Sequence, residues 1–196
     1  MNEWLWYLSR GTGVIAWLTL SASVALGVLA RSGRSVAGWG RFGANEVHRT
    51  TAASAVTLVV VHVLTLLLDT DSGISLLHVL VPFTSAYAPL GVGLGVLALD
   101  VLVALAVTGA LRHRTGPRLF RAVHWSAYAL WPLAAGHFLL SGTDAGTWWA
   151  TTALVAGCVV VTGAIGWRLS TRYAERGRPV RTADGMLPHA GEVVAR

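Results

Sequence analysis

Four histidines fall into two matched pairs: His48 and His62 lie fourteen residues apart in one apolar stretch, and His124 and His137 thirteen apart in another. An imidazole is costly to place in hydrocarbon unless something binds it. Two such pairs at nearly equal spacing therefore point to two ligands, stacked across a membrane and each shared between the two stretches. The lone Cys158 lies inside an apolar run, which excludes an internal disulfide and leaves no cysteine motif for zinc or an iron–sulfur cluster. It reads as a packing residue.

Composition sets the elements that must carry these histidines. Of 196 residues, 54% are hydrophobic and only 12% charged, and the mean hydropathy of +0.60 is too high for a soluble domain of this size. The chain is expected to be an all-α, polytopic membrane bundle of about five spans: Tyr7–Ala30, Thr50–Leu68, Leu90–Leu111, Ala122–Leu140 and Thr147–Trp167. Each is close to the roughly 20 residues that cross a bilayer core. The first has no basic amino end and is followed at once by Arg31 and Arg34, so it reads as a retained helix and not a cleaved leader. Residues 1–168 form the expected membrane domain. Residues 169–196, rich in Arg, Gly and Pro, form a tail expected to be disordered.

All the basic charge is arginine, and fourteen of the fifteen arginines fall in the 31–49 connection, the 112–121 connection and the stretch from Arg168 to Arg196. The other two connections hold Asp69, Asp71 and Asp144 and no basic residue. The positive-inside rule then puts the amino terminus outside and the carboxyl terminus in the cytoplasm of a bacterial inner membrane, as an odd number of spans requires. In a membrane protein this excess describes topology and not nucleic-acid binding, since no aromatic residues interleave with the arginines for base stacking.

The topology turns spacing into geometry. Spans two and four run in the same direction, so His48 and His124 share an inner level and His62 and His137 an outer one, with the levels about 20 Å apart. One imidazole from each helix at each level is what an iron porphyrin with two axial histidines requires. Rotation is the harder test, because fourteen residues fall about 40° short of four turns but thirteen fall about 140° short. A kink or altered winding at Pro132, or rotated haem planes, is the expected accommodation. Two other readings remain: histidines that merely hydrogen-bond between helices in a non-redox scaffold or transporter, and a zinc or proton route. Levels so far apart cannot share one ion.

The runs HRTTAASAVTLVVVH, LLHVLVPFTSAYAPLGVGLG and FRAVHWSAYALWPLAAGHFL resemble the ferric reductase-like transmembrane domain. That family includes the membrane portions of ferric reductases and NADPH oxidases and the haem subunit of the methionine-sulfoxide reductase system. The resemblance extends over about Gly11 to Trp167 and is strongest in the histidine spacing. It implies two b-type haems, the inner bound by His48 with His124 and the outer by His62 with His137, with electrons passing from a cytoplasmic flavin to an acceptor on the far side. The chain departs from the flavin-bearing members, since the residues after Trp167 contain no glycine-rich dinucleotide fingerprint. The expected function is thus that of a haem subunit of an oxidoreductase without its own FAD or NAD(P)H site. Its partner would be a separate flavoprotein reductase, a flavin-binding protein or quinol, and a quinol- or ascorbate-oxidising cytochrome b is the neighbouring alternative.

Other polar residues carry weaker expectations. Asp100, in the middle of span three, reads as structurally satisfied. His78 lies in an outer run too short to span, and His113 and His189 read as solvated. Arg41, Arg49, Arg112 and Arg121 are candidates to pair with inner haem carboxylates. Trp125, beside His124, reads as packing.

Overall fold

The computed structural model describes residues 3–32 and 41–170, and within them the chain is helical with no strand. The helices are α1 (Glu3–Arg31), α2 (Arg41–Leu68), α3 (Leu76–Leu80), α4 (Pro89–Ala110), α5 (Pro117–Trp125), α6 (Ala127–Ser141) and α7 (Trp148–Leu169), with a short 3-10 turn at Thr70–Ser72. Four of them, α1, α2, α4 and α7, are long and apolar enough to cross a membrane. The chain is a multi-pass membrane protein. The tail beyond Ser170 and His189 within it lie outside the described residues.

The expected fourth span is two helices. Helix α5 ends at Trp125 and α6 begins at Ala127, so the interruption falls at Ser126, two residues after His124, whereas Pro132 lies inside α6. At the junction the Ser126 N–H donates to the Val123 carbonyl and the Ala129 N–H to the Ser126 carbonyl, at 2.9 Å each, both reaching back three residues. Three-residue bonds wind the chain more tightly than α-helical ones. The expected change of winding is therefore present, but six residues before the proline.

Helix α2 begins at Arg41, nine residues ahead of the expected Thr50. Hydropathy marks where a helix enters hydrocarbon, while Ala, Glu and Arg sustain helical bonding well before that point. His48 consequently sits two turns inside a helix and not at its edge. Pro89 and Pro117 open α4 and α5, where a missing N–H leaves no bond unmade.

Helices pack in two layers. Helix α1 lies along α2 and α7, and α4 lies along α6 and α5, while α2 and α4 scarcely touch. The layers are joined at mid-depth. There Leu130, 3% exposed, packs with Ala98 and Leu102, and Leu20, Val56 and Val59 close in from the other layer. Trp17 of α1 sits 5.2 Å, ring centre to ring centre, from Trp131 of α6. Its indole N–H donates to the Ala153 carbonyl of α7 at 3.1 Å, in a notch left by Gly157. Trp131 in turn donates to the Ser21 hydroxyl at 3.2 Å, so both indole donors are satisfied where lipid offers no partner. The outward faces, with Val60, Val103, Val155 and Val159 about half exposed or more, are what a bundle solvated by acyl chains requires.

Candidate functional site

The gap between the layers is lined by imidazoles from both sides. His48 and His62 project from α2, His124 from α5 and His137 from α6. The four meet in the expected pairs. The rings of His48 and His124 are 6.2 Å apart between centres with planes at 82°, and those of His62 and His137 are likewise 6.2 Å apart at 79°. Along α2 the two levels are about 21 Å apart, fourteen residues at 1.5 Å each. The thirteen-residue interval from His124 to His137 is interrupted by the tightened turn at Ser126.

Three of the four rings are held by a backbone carbonyl of the helix beside them. His62 Nδ1–H donates to the Ser9 carbonyl at 2.7 Å, His48 Nδ1–H to the Ser23 carbonyl at 2.9 Å, and His137 Nδ1–H to the Gly91 carbonyl at 2.9 Å. A carbonyl can only accept, so the proton sits on Nδ1 and the Nε2 lone pair is left for a ligand. Such an outer hydrogen bond is the usual companion of a metal-binding imidazole. His124 is held differently, with Phe120, one turn earlier on α5, stacked against it at 5.1 Å and 19°.

A glycine opens each carbonyl. A Cβ on Gly13 would lie 3.1 Å from His62 Nδ1, one on Gly27 3.3 Å from His48 Cε1, and one on Gly95 2.5 Å from His137 Nδ1. Each glycine stands four residues after the residue whose carbonyl is used: Ser9 and Gly13, Ser23 and Gly27, Gly91 and Gly95. In a helix the side chain at i+4 overhangs the carbonyl of residue i, so a glycine there leaves room for a ring to approach from the side, most tightly at Gly95. The histidine spacing did not reveal these residues. Their signal was nonetheless in the sequence, because Gly13 and Gly27 repeat the fourteen-residue interval of His48 and His62 on an antiparallel neighbour.

Around the His62 and His137 level lies a cavity of about 450 Å³, within the 300–1,000 Å³ common for small-molecule and cofactor sites. Its deep walls are apolar, formed by residues such as Val59, Val63, Val92, Val96 and Leu99, and its mouth carries Arg10, Asp69, Asp71, His78, Tyr87 and Asp144. Arg10, among the described residues the one arginine at this end, forms an ion pair with Asp144 and its guanidinium carbon lies 3.8 Å above the Trp6 ring centre. Its buried Nε has no hydrogen-bond partner.

The remaining candidates fall away from the pairs. His78 Nδ1 accepts from the Ser75 N–H at 3.2 Å, capping the short helix α3. Arg112 and His113 bond to each other on the surface. Arg49, 59% exposed, pairs with Glu46, and Arg121 donates to the Pro117 carbonyl; nothing is described of the Arg41 side chain. Trp125 is exposed and packs beneath Arg168, whose guanidinium also meets the Tyr128 hydroxyl. Cys158 is a half-buried free thiol on α7. Asp100 is exposed, and no hydrogen bond or ion pair from a described residue reaches its carboxyl, so the expected structural satisfaction is not found within this chain.

A search of curated proteins and a search of solved structures each found no match. A family model described as the ferric reductase like transmembrane component matches residues 12–135, a stretch that holds His48, His62 and His124 and stops two residues short of His137. The match covers well over half of the chain, and the protein belongs to the ferric reductase-like transmembrane family.

Proposed function

We propose that this chain is a di-haem b-type subunit that carries electrons across a bacterial inner membrane, with one haem held by His48 and His124 and the other by His62 and His137. The observation that carries the reading is the ring separation of 6.2 Å, the same at both levels. Two metal–imidazole bonds of about 2.0–2.1 Å, together with about 1.1 Å from each ring centre to its nitrogen, amount to about 6.3 Å. Each level offers two imidazoles, and among the described residues no group of three or more His, Cys, Asp or Glu is placed to hold a metal ion. A bare zinc ion needs more protein ligands than that. A porphyrin brings four of its own, and two histidines complete it.

Held by His48 with His124 or by His62 with His137, a haem would supply a one-electron iron couple, which suits electron transfer. The chain supplies the remainder. The carbonyls of Ser9, Ser23 and Gly91 fix ring orientation and tautomer, and raise the basicity of the ligating nitrogen. The Ala98, Leu102 and Leu130 layer keeps water out of the space between the levels. At the mouth, Arg10 with its unpaired Nε is the cation that would face the carboxylates of the nearer haem. With the arginine-rich end in the cytoplasm, electrons enter there from a separate flavoprotein reductase, or from quinol, and leave at the Asp144 end to an acceptor on the opposite face.

The competing reading, histidines that only tie helices together, draws on the same three carbonyl bonds. It gives no reason for the rings to face each other in pairs without bonding. A reduced-minus-oxidised spectrum of the purified protein decides between them. Two b-type haems per chain are expected, with one lost on replacing His62 or His137 by leucine and the other on replacing His48 or His124. A colourless preparation, or single replacements that leave both haems in place, would overturn the proposal.

A further inference from the structure

Asp100 is the twelfth of the twenty-two residues of α4, the middle of a membrane-crossing helix, and its side chain is exposed. It does not face the cavity. Leu99, Val96 and Val92 line that space, and one further residue turns the helix by about 100°. Nor does it face α6, which is met by Leu94 against Gly136 and by Ala98 against Leu130. Thr57 and Thr162 bond to their own helices, at Ala53 and Cys158. Among the described residues, Asp100 is the one carboxyl at the middle of a membrane-crossing helix, where such a group is strongly disfavoured unless it is paired.

The residues around it form a seam. Leu97, Asp100, Ala104, Val107 and Leu111 follow one another at intervals of three and four, the spacing of a helix that packs lengthwise against a partner helix. Leu97 is half-buried and the other four are exposed. Ala104 beside Asp100 lets a second backbone come close.

We propose that this face of α4 is the contact between two copies of the chain, related by a two-fold axis along the membrane normal, with Asp100 bonded to its counterpart. Two copies inserted with the same topology place their α4 helices parallel and their Asp100 residues at one depth, with no adjustment of register. A protonated carboxyl both donates and accepts, so two of them, each keeping its proton, complete each other as a neutral pair with no third group. The described arginines lie at the two ends of the bundle, so among the described residues no cation stands at the depth of Asp100, and the counterpart carboxyl of a second copy is the group of matching chemistry at that depth. A single polar residue on an otherwise apolar seam also fixes register, as buried polar positions do in coiled coils.

The test uses the full chain in its native membrane, with Cys158 replaced by serine and a new cysteine at Ala104 or Val107. A membrane-permeant thiol oxidant should link both variants into a species of twice the 20.7 kDa chain mass, while a cysteine at Val159 on α7 should not link. Adding Asp100→Leu should weaken dimerisation about three- to thirtyfold, the range for one interhelical hydrogen bond in lipid, and Asp100→Asn should stay within about threefold. Absence of the linked dimer in both seam variants, each of which keeps Asp100, overturns the proposal. So does linking that Asp100→Leu leaves unchanged, or a linked band of another mass, which would mean that a different protein's helix covers the face. Circular dichroism of each variant guards against misfolding.

Discussion

The glycine beside each imidazole makes a graded prediction, and Gly95 is its sharpest member. An alanine there would place Cβ 2.5 Å from His137 Nδ1, and ordinary contact begins at 3.4 Å, so the ring must retreat by about 0.9 Å. The helix backbone fixes the Cβ and the ring carries no flexible end to absorb the shift. The 2.9 Å bond to the Gly91 carbonyl would stretch to about 3.8 Å, past hydrogen-bonding range. Helix propensity favours the alanine by about 1 kcal/mol, offsetting the cost of overpacking, about 1–3 kcal/mol, so the fold should survive. The damage should instead fall on ligand geometry, where losing an outer hydrogen bond lowers metal affinity about 10- to 100-fold. At Gly27 the added Cβ would lie 3.3 Å from His48 Cε1 and require only about 0.1 Å of movement. Haem stoichiometry by pyridine haemochrome, with redox titration of the two centres, should show Gly95→Ala losing or shifting one haem. Gly13→Ala should act on the same haem more weakly, and Gly27→Ala should remain close to the parent protein. Both haems retained with unaltered potentials in Gly95→Ala would refute the reasoning.

Three further outcomes follow from particular contacts. Phe120→Ala removes the ring stacked on His124, the one imidazole of the four not held by a carbonyl, and should weaken its haem about three- to tenfold, measured as haem loss to apomyoglobin. Arg10→Gln and Asp144→Asn each leave a mostly buried partner uncompensated, with side chains 22% and 17% exposed; each should destabilise by about 1–3 kcal/mol, between the exposed and buried limits. Thermal denaturation of the double variant should recover part of the loss. Pro132→Ala should leave both haems in place in the absorption spectrum, because the change of winding resides at Ser126, whereas loss of the His137 haem would return that role to the proline.

Much of the site was legible because its chemistry is periodic. Fourteen and thirteen residues between histidines in two co-directional spans are enough to set two levels, and the structure pairs the rings as expected. The break in the fourth span was foreseen from the mismatch with four turns, but its place was not. Helical interruption depends on which carbonyl finds a donor three residues on, and the proline, inside α6, removes only one bond of that helix. Likewise the early start of α2 at Arg41 was hidden, since a hydropathy window reports the surroundings of a helix and not its extent.

By itself, then, the sequence determined that the chain crosses a membrane, that its arginines gather at one end, and that two imidazole pairs lie about 20 Å apart, because hydrophobicity, charge and helical rise act along a single chain. Tertiary structure alone decided what surrounds those pairs: that Ser9, Ser23 and Gly91 offer their carbonyls, that Gly13, Gly27 and Gly95 clear the way, and that Asp100 looks outward. A backbone carbonyl has no letter in the sequence, and which helix it faces depends on the rotation of one rod against its neighbour, a quantity set only when the whole bundle packs.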